Sequence, residues 1–291
     1  MNIKFLGTGA AEGIPAIFCN CDVCRQAKES GGKNIRTRFQ ILINRDFLVD
    51  YPPDSYMHMV QNKLDFSKVK SIVITHSHSD HFYPEDLFMR DLRSSYNASQ
   101  PLLTVYGTDV IVGRLIRENL AFAGGEAKKD IIERFHGYDV YDRRVECERL
   151  LPQSRRTIDG YEVLSVLSEH IRYEPSLVYA ITKEGKTALI LSDTAYLSQE
   201  SLDFIKSNVK RADGIVYDFT YGLDRAEEGH MNYDDVKKLR VFFEKNKIAV
   251  SGTKHFLSHI SHNVTSLHEQ LCGIVEKDGF IVAYDGMEAE L

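Results

Sequence analysis

The sequence predicts an α/β layered architecture, and two observations carry that expectation. Short runs of β-branched and apolar residues alternate with helical patterns along the chain. No proline-rich or Gly/Ser-rich linker and no solenoid-period repeat divides it, so residues 1–291 are expected to form a single domain. A hydrophobic fraction of 43% and a charged fraction of 27% are those of a folded globular chain, which sets disordered and collagen-like classes aside.

In chain order, strands are expected at 3–6, 39–43, 47–50, 71–74 and 102–106, then at 162–167, 177–182, 187–191, 214–219, 254–257 and 280–283. Helices are expected at 85–93, 109–122, 199–209, 233–245 and 265–276. The stretch from Gly124 to Arg156 is the most polar and least periodic, and reads as an insertion or an edge hairpin.

A net charge of −6 disfavours a broad electrostatic grip on nucleic acid. Arg143, Arg144, Arg155 and Arg156 form a local basic cluster, read chiefly as a solvated charged stretch. Met1 to Gly9 lacks the apolar stretch and cleavage site of a secretory signal, and no apolar run approaches the ~20 residues that span a bilayer. A cytoplasmic protein without a membrane partner is therefore expected. Of five cysteines, Cys19, Cys21 and Cys24 crowd together while Cys147 and Cys272 stand alone. In a reducing compartment such a cluster binds metal more often than it forms disulfides.

The expected strand 71–74 runs straight into Thr75-His76-Ser77-His78-Ser79-Asp80-His81. Three imidazoles and one carboxylate within six positions are borderline ligands that suit zinc, manganese or iron. Three thiolates at Cys19, Cys21 and Cys24 need a fourth ligand to close a structural zinc site, and His262, three residues after His259, is the candidate.

His76-x-His78-x-Asp80-His81 resembles the signature of the metallo-β-lactamase superfamily. The resemblance implies an αββα sandwich of two mixed β-sheets flanked by helices, with two catalytic divalent ions. It places His76 and His78 on one ion and Asp80 and His81 on the other. His170 would complete the first, Asp193 in Leu191-Ser192-Asp193-Thr194 would bridge the two, and His259 would close the second. The cysteine triplet followed by His262 resembles one subgroup, the phosphonate-pathway cyclic phosphodiesterases, and implies a structural zinc. Gly229-His230-Met231 is similar to that subgroup's further active-site histidine. The likeness runs from Phe5-Leu6-Gly7-Thr8-Gly9 to Tyr284-Asp285-Gly286-Met287. His58, His136, His255 and His268 match nothing in the pattern and read as ordinary residues.

The function expected is a dinuclear metal-dependent hydrolase, a phosphodiesterase acting on a small or cyclic phosphodiester. Its nucleophile would be a hydroxide bridging the two ions, oriented by Asp80 and Asp193, with His230 as general acid. The alternatives are a tRNA 3′-processing endonuclease, whose family lacks this cysteine triplet, a thioester or lactone hydrolase, and a non-hydrolytic protein like the pyrroloquinoline-quinone pathway member. The filled ligand set favours an enzyme. The expected partner is a small-molecule phosphodiester, nucleic acid is disfavoured, and a homodimer is left open.

Overall fold

Two β-sheets packed face to face form the centre of the computed structural model, which describes residues 1–90, 101–122, 139–140, 145–224, 228–263 and 266–291. The first sheet has the order β15-β1-β2-β3-β4-β5-β7-β6, built from β1 (Asn2–Gly7), β2 (Gln40–Ile43), β3 (Phe47–Val49), β4 (Ser71–Val73), β5 (Leu103–Gly107), β6 (Asp139–Val140), β7 (Val145–Arg149) and β15 (Glu288–Glu290). The second has the order β14-β13-β12-β11-β10-β9-β8, from β8 (Ser154–Ile158), β9 (Tyr161–Leu167), β10 (Leu177–Lys183), β11 (Lys186–Leu191), β12 (Gly214–Asp218), β13 (Lys254–Ser258) and β14 (Phe280–Val282). Both are mixed. β3, β4, β5 and β7 run parallel in one, and β11 to β14 run parallel in the other.

The pleat divides each strand between two cores. On β10, Leu177, Tyr179 and Ile181 face the first sheet, whereas Val178 and Ala180 face the helical layer. Between the sheets, Phe5 of β1 meets Phe256 of β13 with ring centroids 5.2 Å apart. The outer face of the first sheet is covered by Phe82, Phe88 and by Ile111 and Leu115 of α3 (Asp109–Phe122). The outer face of the second is covered by α4 (Gln199–Asn208), α5 (Tyr233–Lys245) and α6 (His268–Val275), which bury Leu202, Ile205, Val236, Leu239, Phe243, Leu271 and Val275. The result is the αββα sandwich. Among the described residues no helix is long and apolar enough to cross a membrane.

The departures from the sequence reading have physical causes. The helix expected at 85–93 is a 3₁₀ helix over Pro84–Arg90, with 91–93 outside the described residues. The helix expected at 265–276 begins only at His268. Two helices escaped notice: α1 (Asp22–Ser30), which buries only Cys24 and Ala27, and α2 (Ser55–Gln61), which buries Ser55 and His58 while Tyr56, Met57 and Val60 stand exposed. α1 is amphipathic but short and its buried stripe is only two small residues, while the apolar side chains of α2 point to solvent, so neither presents a wide inward stripe. The stretch 124–156, expected as an insertion or an edge hairpin, contains an antiparallel pair at a sheet edge, β6 against β7, rather than one insertion. Its described parts extend both sheet edges, β6 and β7 on the first and β8 on the second, while 124–138 and 141–144 lie outside the described residues. β7, next to the edge, buries Val145 and Cys147 and turns its charged residues outward, so a half-buried strand reads as polar.

Replacing Phe256 by alanine should cost about 3–5 kcal/mol, because it empties space between the sheets. Replacing the exposed Tyr56 should cost under about 0.5 kcal/mol. Urea denaturation of the two variants checks this, and equal losses would mean that Phe256 does not hold the sheets together.

Candidate metal centre

The carboxyl ends of β4, β9, β11, β12 and β13 open at one edge of the sandwich. β11, β12 and β13 lie side by side in parallel register, Leu191 beside Tyr217 and Asp218 beside Ser258. Their ends therefore release Asp193, Asp218 and His259 next to one another. Across from them the chain leaving β4 is held by the second sheet: Leu177 donates its N–H to the Thr75 carbonyl at 2.8 Å, and the Tyr179 hydroxyl donates to the Ile74 carbonyl at 2.6 Å. A turn closed from Phe82 N–H to the His78 carbonyl then folds His76, His78, Asp80 and His81 inward.

The structure brings together every residue of the expected dinuclear set. Donor atoms of His76, His78 and His170 lie within 4.8 Å of one another, as do those of Asp80, His81 and His259, and Asp193 clusters with both His76 and His81 and with His259. Outer ring nitrogens are fixed by neighbours, which aims the inner ones. His81 Nδ1 donates to Asp50 at 2.7 Å, His170 Nδ1 donates to the Gly229 carbonyl at 3.0 Å, and His259 Nδ1 meets the Thr220 hydroxyl at 2.7 Å. Gly229 is required there: its φ is +87°, and a Cβ would lie 3.2 Å from His170 Nδ1.

The inner atoms fit a cation. His76 Nε2 is buried without a hydrogen-bond partner, and the equally buried Asp193 Oδ2 is met by His81 Nε2. His81 Nε2 faces His259 Nε2 at 3.3 Å and also abuts Asp80 and Asp193. Among the described residues, the ion-pair partners of Asp80 and Asp193 are all histidines. Burial, the largest influence on His81, opposes its charge, yet Asp193, Asp80 and Asp50 push its pKa well up. Burial likewise works against ionised Asp193, but His259 and His81 hold its carboxyl well below the usual range. A point that demands positive charge, surrounded by lone pairs, is what divalent ions satisfy. Asp50, Asp193 and His259 all adopt positive φ, at 63°, 51° and 55°. Such non-glycine residues cost of order 1–3 kcal/mol each and gather at functional sites.

His230 lies just before α5, whose N-cap Asn232 accepts the Asp235 N–H at 3.0 Å. Its Nδ1 donates to Asp218 at 2.8 Å, and its ring stacks on His259 with centroids 5.6 Å apart. Burial would lower its pKa, but Asp218 and then Asp193 outweigh burial and raise it to about 9. Sequence reading missed Asp218 and Asp50. Each was assigned to the end of an apolar strand, and a carboxylate closing such a run was the signal available.

Cys19, Cys21, Cys24 and His262 form a second cluster, with donor atoms within 4.8 Å of one another. The Cys19 and Cys21 sulfurs each lie 3.6 Å from His262 Nδ1. The expected cysteine loop is partly helical, since Cys24 sits in α1. A backbone N–H from Cys24, more than any other contact, lowers the Cys21 thiol to about 6, whereas burial raises Cys24 to about 11. Of the remaining histidines, His58, His255 and His268 are buried away from both clusters and His136 lies outside the described residues. Arg155 pairs with Glu162 and Arg156 with Glu148, while Arg143 and Arg144 lie outside the described residues.

The family described as the beta-lactamase superfamily domain matches residues 45–243. An octanoyltransferase of Porphyromonas gingivalis (strain ATCC BAA-308 / W83) is 30% identical over 83 residues, so the match spans 28% of this chain and only 16% of that protein. Among solved structures, Zn²⁺-bound PqqB from Methylobacterium extorquens aligns over 100% of both chains with a TM-score of 0.74 and 18% identity. A diphosphatase from the PhnP family aligns over 100% of this chain and 96% of its own, at 0.69 and 20%. The short form of human tRNase Z aligns over 100% and 99%, at 0.63 and 19%. At these identities the likeness is one of fold.

The cysteine cluster makes its own test. After metal is stripped with a chelator, Cys21 should be alkylated by iodoacetamide well before Cys24, because the Cys21 thiol is lowered toward the thiolate and the Cys24 thiol is raised away from it. Restoring zinc should protect both. Peptide mass spectrometry reads the order, and equal labelling with and without zinc would rule the cluster out as a metal site.

Proposed function

Because this chain belongs to the β-lactamase superfamily and has its metallo-β-lactamase fold, we propose that it is a dinuclear metal-dependent phosphodiesterase acting on a small phosphodiester. The reading takes 1–291 as one cytoplasmic domain. His76, His78 and His170 are assigned to one ion, Asp80, His81 and His259 to the other, and Asp193 to both. Cys19, Cys21, Cys24 and His262 are assigned to a closed zinc. When bound, two zinc, manganese or iron ions would supply a water that deprotonates near neutral pH and a Lewis acid for the phosphoryl oxygens.

The observation that carries the phosphodiester assignment is the Asp218–His230 pair beside this ligand set. Asp218 engages His230 Nδ1 at 2.8 Å, which leaves Nε2 for substrate. An alkoxide leaving a phosphodiester needs a proton, whereas a thioester's thiolate does not. Asp218, with Asp193, favours the imidazolium of His230 against burial, which is the form that donates a proton. Asp80 and Asp193 orient the attacking oxygen. Asp218 itself is held by the N–H groups of Thr220 at 3.0 Å and Met231 at 3.3 Å, so the carboxylate does not swing away. A tRNA-processing reading finds less support, since Arg155 and Arg156 are committed to carboxylates. A non-hydrolytic role leaves the pairing of a complete donor set with an acid unused.

Elemental analysis of the purified protein should find about three ions per chain, two in the open site and one in the closed site. Cys21→Ser should lose one ion and lower the thermal midpoint. A variant that keeps all three ions and full stability would remove the closed site.

His230→Ala should keep its ions and lose ~10² to 10⁴ in rate on alkyl phosphodiesters, but less on bis(p-nitrophenyl) phosphate, whose leaving group needs no proton. Asp218→Asn should follow the same pattern. An equal loss on both substrates would leave His230 a substrate-binding residue, and no loss on either would turn the assignment toward the other hydrolases.

A further inference from the structure

The three imidazoles assigned to the first ion come from two segments that share no backbone hydrogen bonding at the ligands themselves. His76 and His78 lie on the turn after β4 in the first sheet, and His170 lies on the connection from β9 to β10 in the second. We propose that Glu174 is the positioning residue that locks these two segments in register, with Arg114 of α3 holding the turn from its other side. The proposal rests on the ligand assignment above.

Glu174 lies four residues after His170 and is only 6% exposed. Its two carboxylate oxygens accept from one residue: Oε1 from the Ser77 N–H at 2.9 Å and Oε2 from the Ser77 hydroxyl at 2.8 Å. Ser77 stands between His76 and His78. Its remaining polar group, the carbonyl, accepts from the Arg114 guanidinium, which sits 5.5 Å over the Phe82 ring. Every polar group of Ser77 is thereby engaged, a carboxylate on one side and a guanidinium on the other. Next to Glu174, the Tyr173 hydroxyl lies 3.2 Å from His78 Nε2, while His78 Nδ1 faces His170 Nε2 at 3.4 Å. The segment that supplies His170 thus also fixes the peptide and the outer nitrogen of the opposite ligands. Bidentate, charge-assisted bonds of this kind set geometry, and a buried carboxylate that lost them would be left unsatisfied. Holding three donors at their spacing before an ion arrives spares the ion that ordering cost, and outer partners of this type are worth about tenfold to a hundredfold in metal affinity.

The test uses the full chain, stripped of metal and titrated with cobalt(II). Visible d–d bands report the open site, and near-ultraviolet thiolate charge transfer reports the cysteine site as an internal measure of folding. Glu174→Ala should weaken cobalt binding at the open site by about tenfold to a hundredfold and change its d–d spectrum, with the charge-transfer band intact. Glu174→Gln can still accept from the Ser77 N–H, and should stay within about threefold of wild type. Wild-type affinity and spectrum in Glu174→Ala would overturn the proposal, even with a lowered thermal midpoint. So would a Gln variant as weak as the Ala variant, which would make the effect one of charge rather than position. If Glu174→Ala does not fold, Ser77→Ala deletes only the hydroxyl bond and should show a smaller loss in the same direction, and no change there overturns the proposal. A wild-type chain that takes up cobalt only at the cysteines would instead overturn the ligand assignment.

Discussion

The structure depends on a convergence of lone pairs at one buried point. Asp80, Asp193 and the inner nitrogens of His76, His81 and His259 turn toward one another, and His76 Nε2 has no hydrogen-bond partner. Buried polar groups in that state destabilise a fold unless a cation neutralises them. Part of the free energy of ion uptake is therefore folding free energy. The surrounding architecture is what keeps the convergence from relaxing. Parallel strands deliver the donors at adjacent ends, and Asp50, Thr220 and the Gly229 carbonyl take up the outer ring nitrogens.

The backbone bears the same load. Asp50, Asp193 and His259 each leave a strand with positive φ, which turns the side chain back toward the sheet edge instead of out into solvent. These residues are not glycines, so the conformation is held by what packs around it. The flanking strands are buried except at the first residues of β11 and β13, and the interlocked inter-sheet core leaves them little room to yield.

Some of this was legible in the sequence and some was not. His76 to His81 could be read because four of the seven expected dinuclear ligands, His76, His78, Asp80 and His81, lie in one short stretch after an apolar run, where spacing alone states the chemistry. His170, Asp193 and His259 became readable only through the family resemblance, since each is a single polar residue after a strand. Asp50 and Asp218 stayed hidden because each ends a strand of apolar residues, and nothing in the sequence separates a carboxylate that caps a strand from one that orients a histidine. α2 was hidden for a different reason: it buries His58 against Gln40 and Thr37 while showing its apolar side chains to solvent, so its periodicity points the wrong way. Glu174 looks like any loop glutamate until the fold brings Ser77 to it.

His259 and His262 stand on one short segment, with His259 at the open cluster and His262 beside the cysteines. Glu12 reaches the same segment, bonding the Ser261 hydroxyl and lying 3.8 Å from His262 Nε2. Such a segment behaves as a tether pinned at both ends. Oxidation of the thiols would free one pin, and the slack would appear at His259, in a cluster that contains no sulfur. Sensitivity to oxidants would then reach a centre whose own ligands are inert to them, by mechanical rather than chemical means.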